Sequence, residues 1–112
     1  MQEILDRLNQ VVGIKGSMVV TVDGWVVFDS LGPELEKETV AAVSSHMVKT
    51  SRRMLESLER GDFSRFTLIS RHGRMIFVTL KSGYLVVITK MDIKLDDILI
   101  EIDSAARRIE KG

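Results

Sequence analysis

The sequence predicts an α+β fold, a five-stranded antiparallel sheet lying between two layers of helix. Three observations carry this. Asp23-Gly24, His72-Gly73 and Ser82-Gly83 each stand between two apolar runs, the pattern of short hairpin turns. The strands they delimit are apolar on both alternating faces, as in Met75-Ile76-Phe77-Val78 and Tyr84-Leu85-Val86-Val87-Ile88, so both faces need cover. Three segments with helical apolar spacing supply that cover.

The turns place strands over 17–22 and 25–29, joined as a hairpin, and a meander over 66–71, 75–80 and 84–89. Asp23-Gly24 favours a type I′ turn, which needs positive φ at both central residues. A helix over 2–12 brings Ile4, Leu5, Leu8, Val11 and Val12 to one face, with Gly13 just past its end. A helix over 94–110 carries Leu95, Ile98, Ile102, Ala105 and Ile109 in one stripe. Asp96 and Asp97 near its start and Arg107, Arg108 and Lys111 near its end complement the helix dipole.

The middle helix, over 33–60, starts with Pro33 at its first position and a run of glutamates, and ends at Arg60-Gly61. Val40, Val43, Met47, Met54 and Leu58 form the stripe expected to face the sheet. A second stripe, Ala41, Val48 and Leu55 with Ser44 and Ser45 beside it, lies roughly 80–100° round the helix. Either it packs on another long helix or it widens the core face of a half-sunk helix. Periodicity alone does not choose.

At 112 residues, with 45% hydrophobic and 29% charged, the chain suits a single domain over 1–112 with its own core. Sixteen basic against sixteen acidic residues give no overall pull toward nucleic acid or anionic lipid. No apolar run approaches the roughly 20 residues of a membrane span, and Met1-Gln2-Glu3-Ile4-Leu5-Asp6-Arg7 has no leader-like apolar stretch. A cytoplasmic domain is the expectation. The absence of cysteine removes disulfides, thiolate zinc sites and cysteine nucleophiles.

A search for chemistry finds no catalytic residue, metal site or cofactor site. Gly13-Ile14-Lys15-Gly16-Ser17 lacks the phosphate-loop spacing and precedes a strand rather than a helix. His46 and His72 do not share a zinc-helix spacing. Asp96, Asp97, Glu101 and Asp103 read as dipole-complementing carboxylates. Lys49, Arg52, Arg53 and Arg60, interleaved with Glu56 and Glu59, form a solvated face suited to an acidic protein partner. It lacks the aromatics that single-stranded nucleic acid requires. Trp25 opens the second strand as either a half-buried anchor or a contact residue.

With Gly16-Ser17-Met18-Val19-Val20-Thr21-Val22-Asp23-Gly24-Trp25-Val26-Val27 as its opening hairpin, and Gly83-Tyr84-Leu85-Val86-Val87-Ile88-Thr89 before the last helix, the chain resembles the roadblock/dynein-light-chain family, with its MglB-like members. The resemblance implies a profilin-like three-layer sandwich, with the long helix on one sheet face and the N- and C-terminal helices on the other. It implies a homodimer in which long helices pack together and third strands pair. The dimer face would then hold Ala41, Ser44, Ser45, Val48, Leu55, Phe66, Thr67 and Leu68.

The resemblance further implies a small Ras-like GTPase as partner, bound or stimulated without an active site of the chain's own, with no nucleic acid and no membrane insertion. Ala42, Ser45, His46, Lys49, Arg53, Glu56 and Arg60 are expected on the exposed side of the helix away from the sheet-facing stripe, and Ala42, His46, Lys49, Arg53, Glu56 and Arg60 would meet it. A regular helix holds arginines on a broad face, which argues against an arginine finger. A PAS-like small-molecule sensor and a purely structural dimerisation or motor-adaptor module are the alternatives.

Overall fold

The computed structural model describes residues 1–111. The elements in order are α1 (Gln2–Leu8), β1 (Ile14–Val20), β2 (Val26–Leu31), α2 (Lys37–Ser57), β3 (Arg65–Ser70), β4 (Gly73–Leu80), β5 (Gly83–Thr89) and α3 (Leu95–Lys111). The strands form one antiparallel sheet in the order β2-β1-β5-β4-β3. β1, β5 and β4 sit inside the sheet, and β2 and β3 are its edges.

Strand alternation sends side chains into two separate cores, as the double-sided pattern requires. On one face Val19, Ile76, Val78, Leu85 and Val87 pack with Leu5 and Leu8 of α1 and Ile98, Ile102 and Ile109 of α3. On the other, Met18, Val20, Phe77, Tyr84 and Val86 pack with Val40, Ala41 and Val48 of α2. The expected three layers are therefore present, with the long helix alone on its face.

Three local features differ from the sequence reading. The first helix stops at Leu8 instead of residue 12, because the Asn9 carboxamide is drawn to the sheet. It accepts from Ser17 Oγ at 2.8 Å and donates to Ser30 Oγ at 2.9 Å and to the Ser30 carbonyl. The first hairpin closes through three residues rather than a two-residue type I′ turn. Gly24 N donates to Thr21 O at 3.0 Å, Thr21 N to Trp25 O at 2.9 Å, and only Gly24, at φ +95°, is left-handed.

The long helix begins at Lys37. Pro33 instead occupies the second position of a turn closed by Leu35 N on Gly32 O at 3.0 Å. Its far end is a Schellman closure, with Arg60 N on Leu55 O at 2.9 Å and Glu59 N on Glu56 O at 3.0 Å. The left-handed residue of the closure is Glu59, at φ +55°, and Gly61, at φ +77°, follows two residues later.

The largest correction concerns which side of α2 meets the sheet. Ala41, Ser44, Ser45 and Val48 are buried against it, with Leu55 half-buried beside them. Val43, Met54 and Leu58 point outward. The sheet explains the exchange. Its α2 face carries Met18, Phe77 and Tyr84, and the stacked pair Phe66 and Phe77, 4.4 Å between centroids, lies close by. Bulk supplied by the sheet must be met by small residues on the helix, since interiors hold a nearly constant packing density.

Candidate interaction surface

The 21-residue α2 presents three strips. The sheet-facing strip is small and partly polar. Ser45 Oγ donates to the Val22 carbonyl at 2.9 Å and so ties the helix to the first hairpin. Ser44 Oγ and the Tyr84 hydroxyl are buried beneath the helix without a hydrogen-bond partner. Burial pushes the Tyr84 phenol up to about 12, with the nearby Ser45 hydroxyl and Arg52 charge acting in the opposite direction.

The second strip is apolar and open. Val43 is 49% exposed, Met54 62% and Leu58 67%, with Met47 half-buried among them. Its C-terminal half borders a groove of about 430 Å³ that runs to β3 and is lined by Met54, Leu55, Leu58, Phe63 and Phe66. The groove meets the edge strand, where Leu68 is 37% and Ile69 61% exposed. Phe63, which the sequence reading did not single out, anchors this corner. Its ring meets Phe66 edge-on at 4.8 Å, and Arg52 lies over it at 5.5 Å. Arg52 Nε also donates to Asp62 Oδ1 at 3.0 Å. This arginine is thereby drawn out of the basic cluster read from the sequence.

The third strip is polar. Ala42, His46, Lys49, Arg53, Glu56 and Arg60 are all exposed on it, whereas Ser45, expected beside them, is buried on the sheet side. Lys49, Arg53 and Arg60 against Glu56 leave this strip net basic. The residues assigned to a dimer face fare differently. Ala41, Ser44, Ser45 and Val48 are already buried in the protomer's own core and offer nothing to a second chain. Leu55, Phe66 and Thr67 are half-buried, and Leu68 is exposed. Of the open apolar residues, Val43, Met54 and Leu58 are the ones the sequence reading turned toward the sheet, while Ile69 lies in the strand it gave to the dimer edge. The signal that finds them is the bulk of the sheet side chains opposite the helix, which hydrophobic periodicity does not weigh.

Among the described residues no group of three or more His, Asp or Glu side chains is arranged to hold a metal ion, and no helix is long and apolar enough to cross a membrane. His46 and His72 are both exposed and lie on separate elements. Large open side chains beside a strand edge and a basic strip provide contact area and charge.

Comparison with known proteins places the chain. The protein MJ1340 of Methanocaldococcus jannaschii is 33% identical over 107 residues, 96% of this chain and 94% of the relative. Among solved structures, Myxococcus xanthus MglB superposes with a TM-score of 0.92 at 15% identity, covering 98% of this chain and 91% of that one. A Roadblock/LC7 domain from Streptomyces avermitilis superposes at 0.89, again at 15% identity, covering 99% and 95%. At such identities the likeness shows the fold. A sequence description of the Roadblock/LC7 domain matches residues 1–89, from α1 to the last residue of β5. The chain belongs to the Roadblock/LC7 domain family.

Proposed function

We propose that this protein is a non-catalytic, cytoplasmic homodimer, one domain per chain, that regulates or scaffolds a small Ras-like GTPase. The observation that carries the reading is the division of labour on α2. Only one of its three strips is used by the protomer, while an apolar strip and a basic strip remain open. The apolar strip and the neighbouring β3 edge suit a second copy, because buried apolar contact is what stabilises permanent partners. The basic strip suits a transient partner whose surface carries carboxylate and phosphate charge, because complementary charge speeds encounter. Membership of the Roadblock/LC7 family and the fold shared with MglB support the choice of a small GTPase as that partner. Any stimulation of hydrolysis would come from docking that positions the partner's own residues.

The test is charge reversal on the basic strip, Lys49→Glu with Arg53→Glu. The reading expects binding to a GTPase loaded with a non-hydrolysable GTP analogue to fall by about 10–100-fold, with the dimer intact. Unchanged binding removes this strip from the contact. If no small GTPase binds the unmodified dimer, the functional reading fails.

A further inference from the structure

On the face of the sheet opposite α2, the helical layer is open along one flank. There α1 lies over β1 and β2, and α3 lies over β4 with α1 along one side of it. Among the described residues α1 is the only helix beside α3 on that face. Along the other side of α3 runs a trough. Its main cavity, about 450 Å³, has Val78, Leu80 and Ala106 as an apolar floor and Arg107, Glu110 and Lys111 at its rim. A second cavity of about 570 Å³ adjoins it at Val78, Thr79 and Asp103 and reaches Phe63 and Arg65.

The trough follows from where β3 begins. Arg65 pairs with Val78, so Thr79 and Leu80 of β4 run on past the end of the edge strand. Only the irregular Phe63-Ser64 accompanies them, with Thr79 N donating to Ser64 O at 3.0 Å and Thr79 Oγ1 to Phe63 O at 2.6 Å. From the helix side Ala106 adds little bulk, and the space stays unfilled.

The charges along the trough are unequally spent. Both carboxylates are occupied within the protomer. Asp103 takes Nη1 of Arg65 on its two oxygens at 3.0 and 2.9 Å, and Glu110 Oε1 accepts the backbone N–H of Lys81 at 2.6 Å. Arg107 and Lys111 are exposed and form no ion pair among the described residues. Their neighbour Arg108 lines a separate, small cavity on the α1 side, with Arg7 and Glu101. Cations in a last helical turn answer the helix dipole wherever they point. Here two of them also share one recess with an apolar floor.

Their spacing describes what fits. Arg107 and Lys111 stand about one turn apart, roughly 6 Å along the helix axis. In an extended chain residues i and i+2 point to one side, about 6.6 Å apart, and the residue between them points to the other. Two carboxylates so spaced reach both cations together, while the side chain between them turns toward Val78 and Leu80. An anionic bilayer is flat and would meet the rim cations but not the recessed floor, so the shape favours a peptide.

We propose that this trough binds an extended acidic segment of a partner protein, with the pattern acidic-apolar-acidic. Its carboxylates pair with Arg107 and Lys111, and its apolar side chain covers Val78, Leu80 and Ala106. The site lies across the sheet from α2, so a segment held there leaves the strips of α2 free. It stands whether or not the homodimer and GTPase readings hold.

The experiment titrates the protein with the short peptide Glu-Leu-Glu-Leu-Glu, followed through its amide chemical shifts, beside the same peptide with lysine in place of glutamate. Vesicles of phosphatidylserine and phosphatidylcholine form a separate arm. The expected result is saturable binding of the acidic peptide alone, at about millimolar affinity or tighter, with shifts centred on Val78–Leu80 and the last turns of α3. Arg107→Glu with Lys111→Glu should weaken it by about tenfold or more. Arg107→Gln with Lys111→Gln, a milder change, should weaken it by a smaller factor, and circular dichroism checks that both variants keep their helices. Equal binding of the lysine peptide, shifts centred elsewhere, or affinity that survives both double substitutions overturns the proposal. So does the lack of saturable binding below about 10 mM. Vesicle binding that needs Arg107 and Lys111, without peptide binding, assigns the cations to a bilayer and overturns it as well.

Discussion

The sheet has two edges, and they are finished in opposite ways. At β2, the side chain of Gln2 donates to the Asp29 carbonyl at 2.8 Å and that of Asn9 to the Ser30 carbonyl, so α1 covers the strand with polar groups. The register also slips beside Val27, and such bulges spoil a strand as a template for further pairing. At β3, by contrast, no side chain among the described residues hydrogen-bonds to the backbone of Arg65–Ser70. The strand pairs with β4 in an unbroken register and leaves Leu68 and Ile69 exposed on its two faces. Arg65, the one charge within it, is held on Asp103 of α3 at 2.9 Å. A bare apolar edge normally invites aggregation unless a partner is built to take it. The difference is that α1 protects one end of the sheet, whereas the other end and the apolar strip of α2 beside it stay open, as the proposed homodimer requires.

The largest effect expected from breaking this asymmetry is on assembly. Ile69→Lys at the bare edge should weaken self-association by about 100-fold, because lysine on an edge opposes pairing. Val27→Lys at the guarded edge should leave it unchanged. Sedimentation equilibrium on the two variants makes the comparison, and equal effects would abolish the distinction between the edges.

A second handle loosens α2 without touching either edge. The Tyr84 phenol beneath it rises from 10.0 to about 12 in the folded chain. Folding therefore favours the neutral phenol. Its contribution is complete below pH 10 and is lost as pH rises from 10 to about 12, a change of about 2–3 kcal/mol at most. Denaturant titrations across that window should show the decline, and Tyr84→Phe should remove it. Tyr84 is the only tyrosine, so tyrosinate absorbance reports this group alone.

At the guarded edge, Asn9→Ala removes the carboxamide that joins α1 to Ser17 and Ser30. It should cost the protomer about 1–3 kcal/mol, measured by urea unfolding, without altering self-association beyond that loss. A variant as stable as the unmodified chain would show that packing of Leu5 and Leu8 alone holds the helix there.

How legible this molecule is in its sequence depends on which neighbour decides each position. The five strands and the three layers are written in local alternation and turn residues, as in Met75–Leu80 between His72-Gly73 and Ser82-Gly83, and they are found within a few residues of the expected places. The polar strip of α2 is legible for the same reason, since charges at helical spacing need only solvent. The apolar strips of α2 are not legible in the same way: Val40 keeps its expected place in the core and Met47 packs partly against it, but Val43, Met54 and Leu58 give way to Ala41 and Val48 because the sheet opposite carries Phe77 and Tyr84, which are distant in sequence. Asn9 is illegible for the same reason, because its partners, Ser17 and Ser30, become neighbours only when β1 and β2 pair.

The central claim is that α2 and β3 are left open for a second copy of this chain. It is tested most directly by sedimentation equilibrium of the unmodified protein beside Val43→Asp with Met54→Asp. Both positions are outward in the protomer, so the substitutions spare its core. The account predicts a dimer for the unmodified chain at micromolar concentration and a folded monomer for the variant. A monomeric unmodified chain, or a variant that remains dimeric, would contradict it.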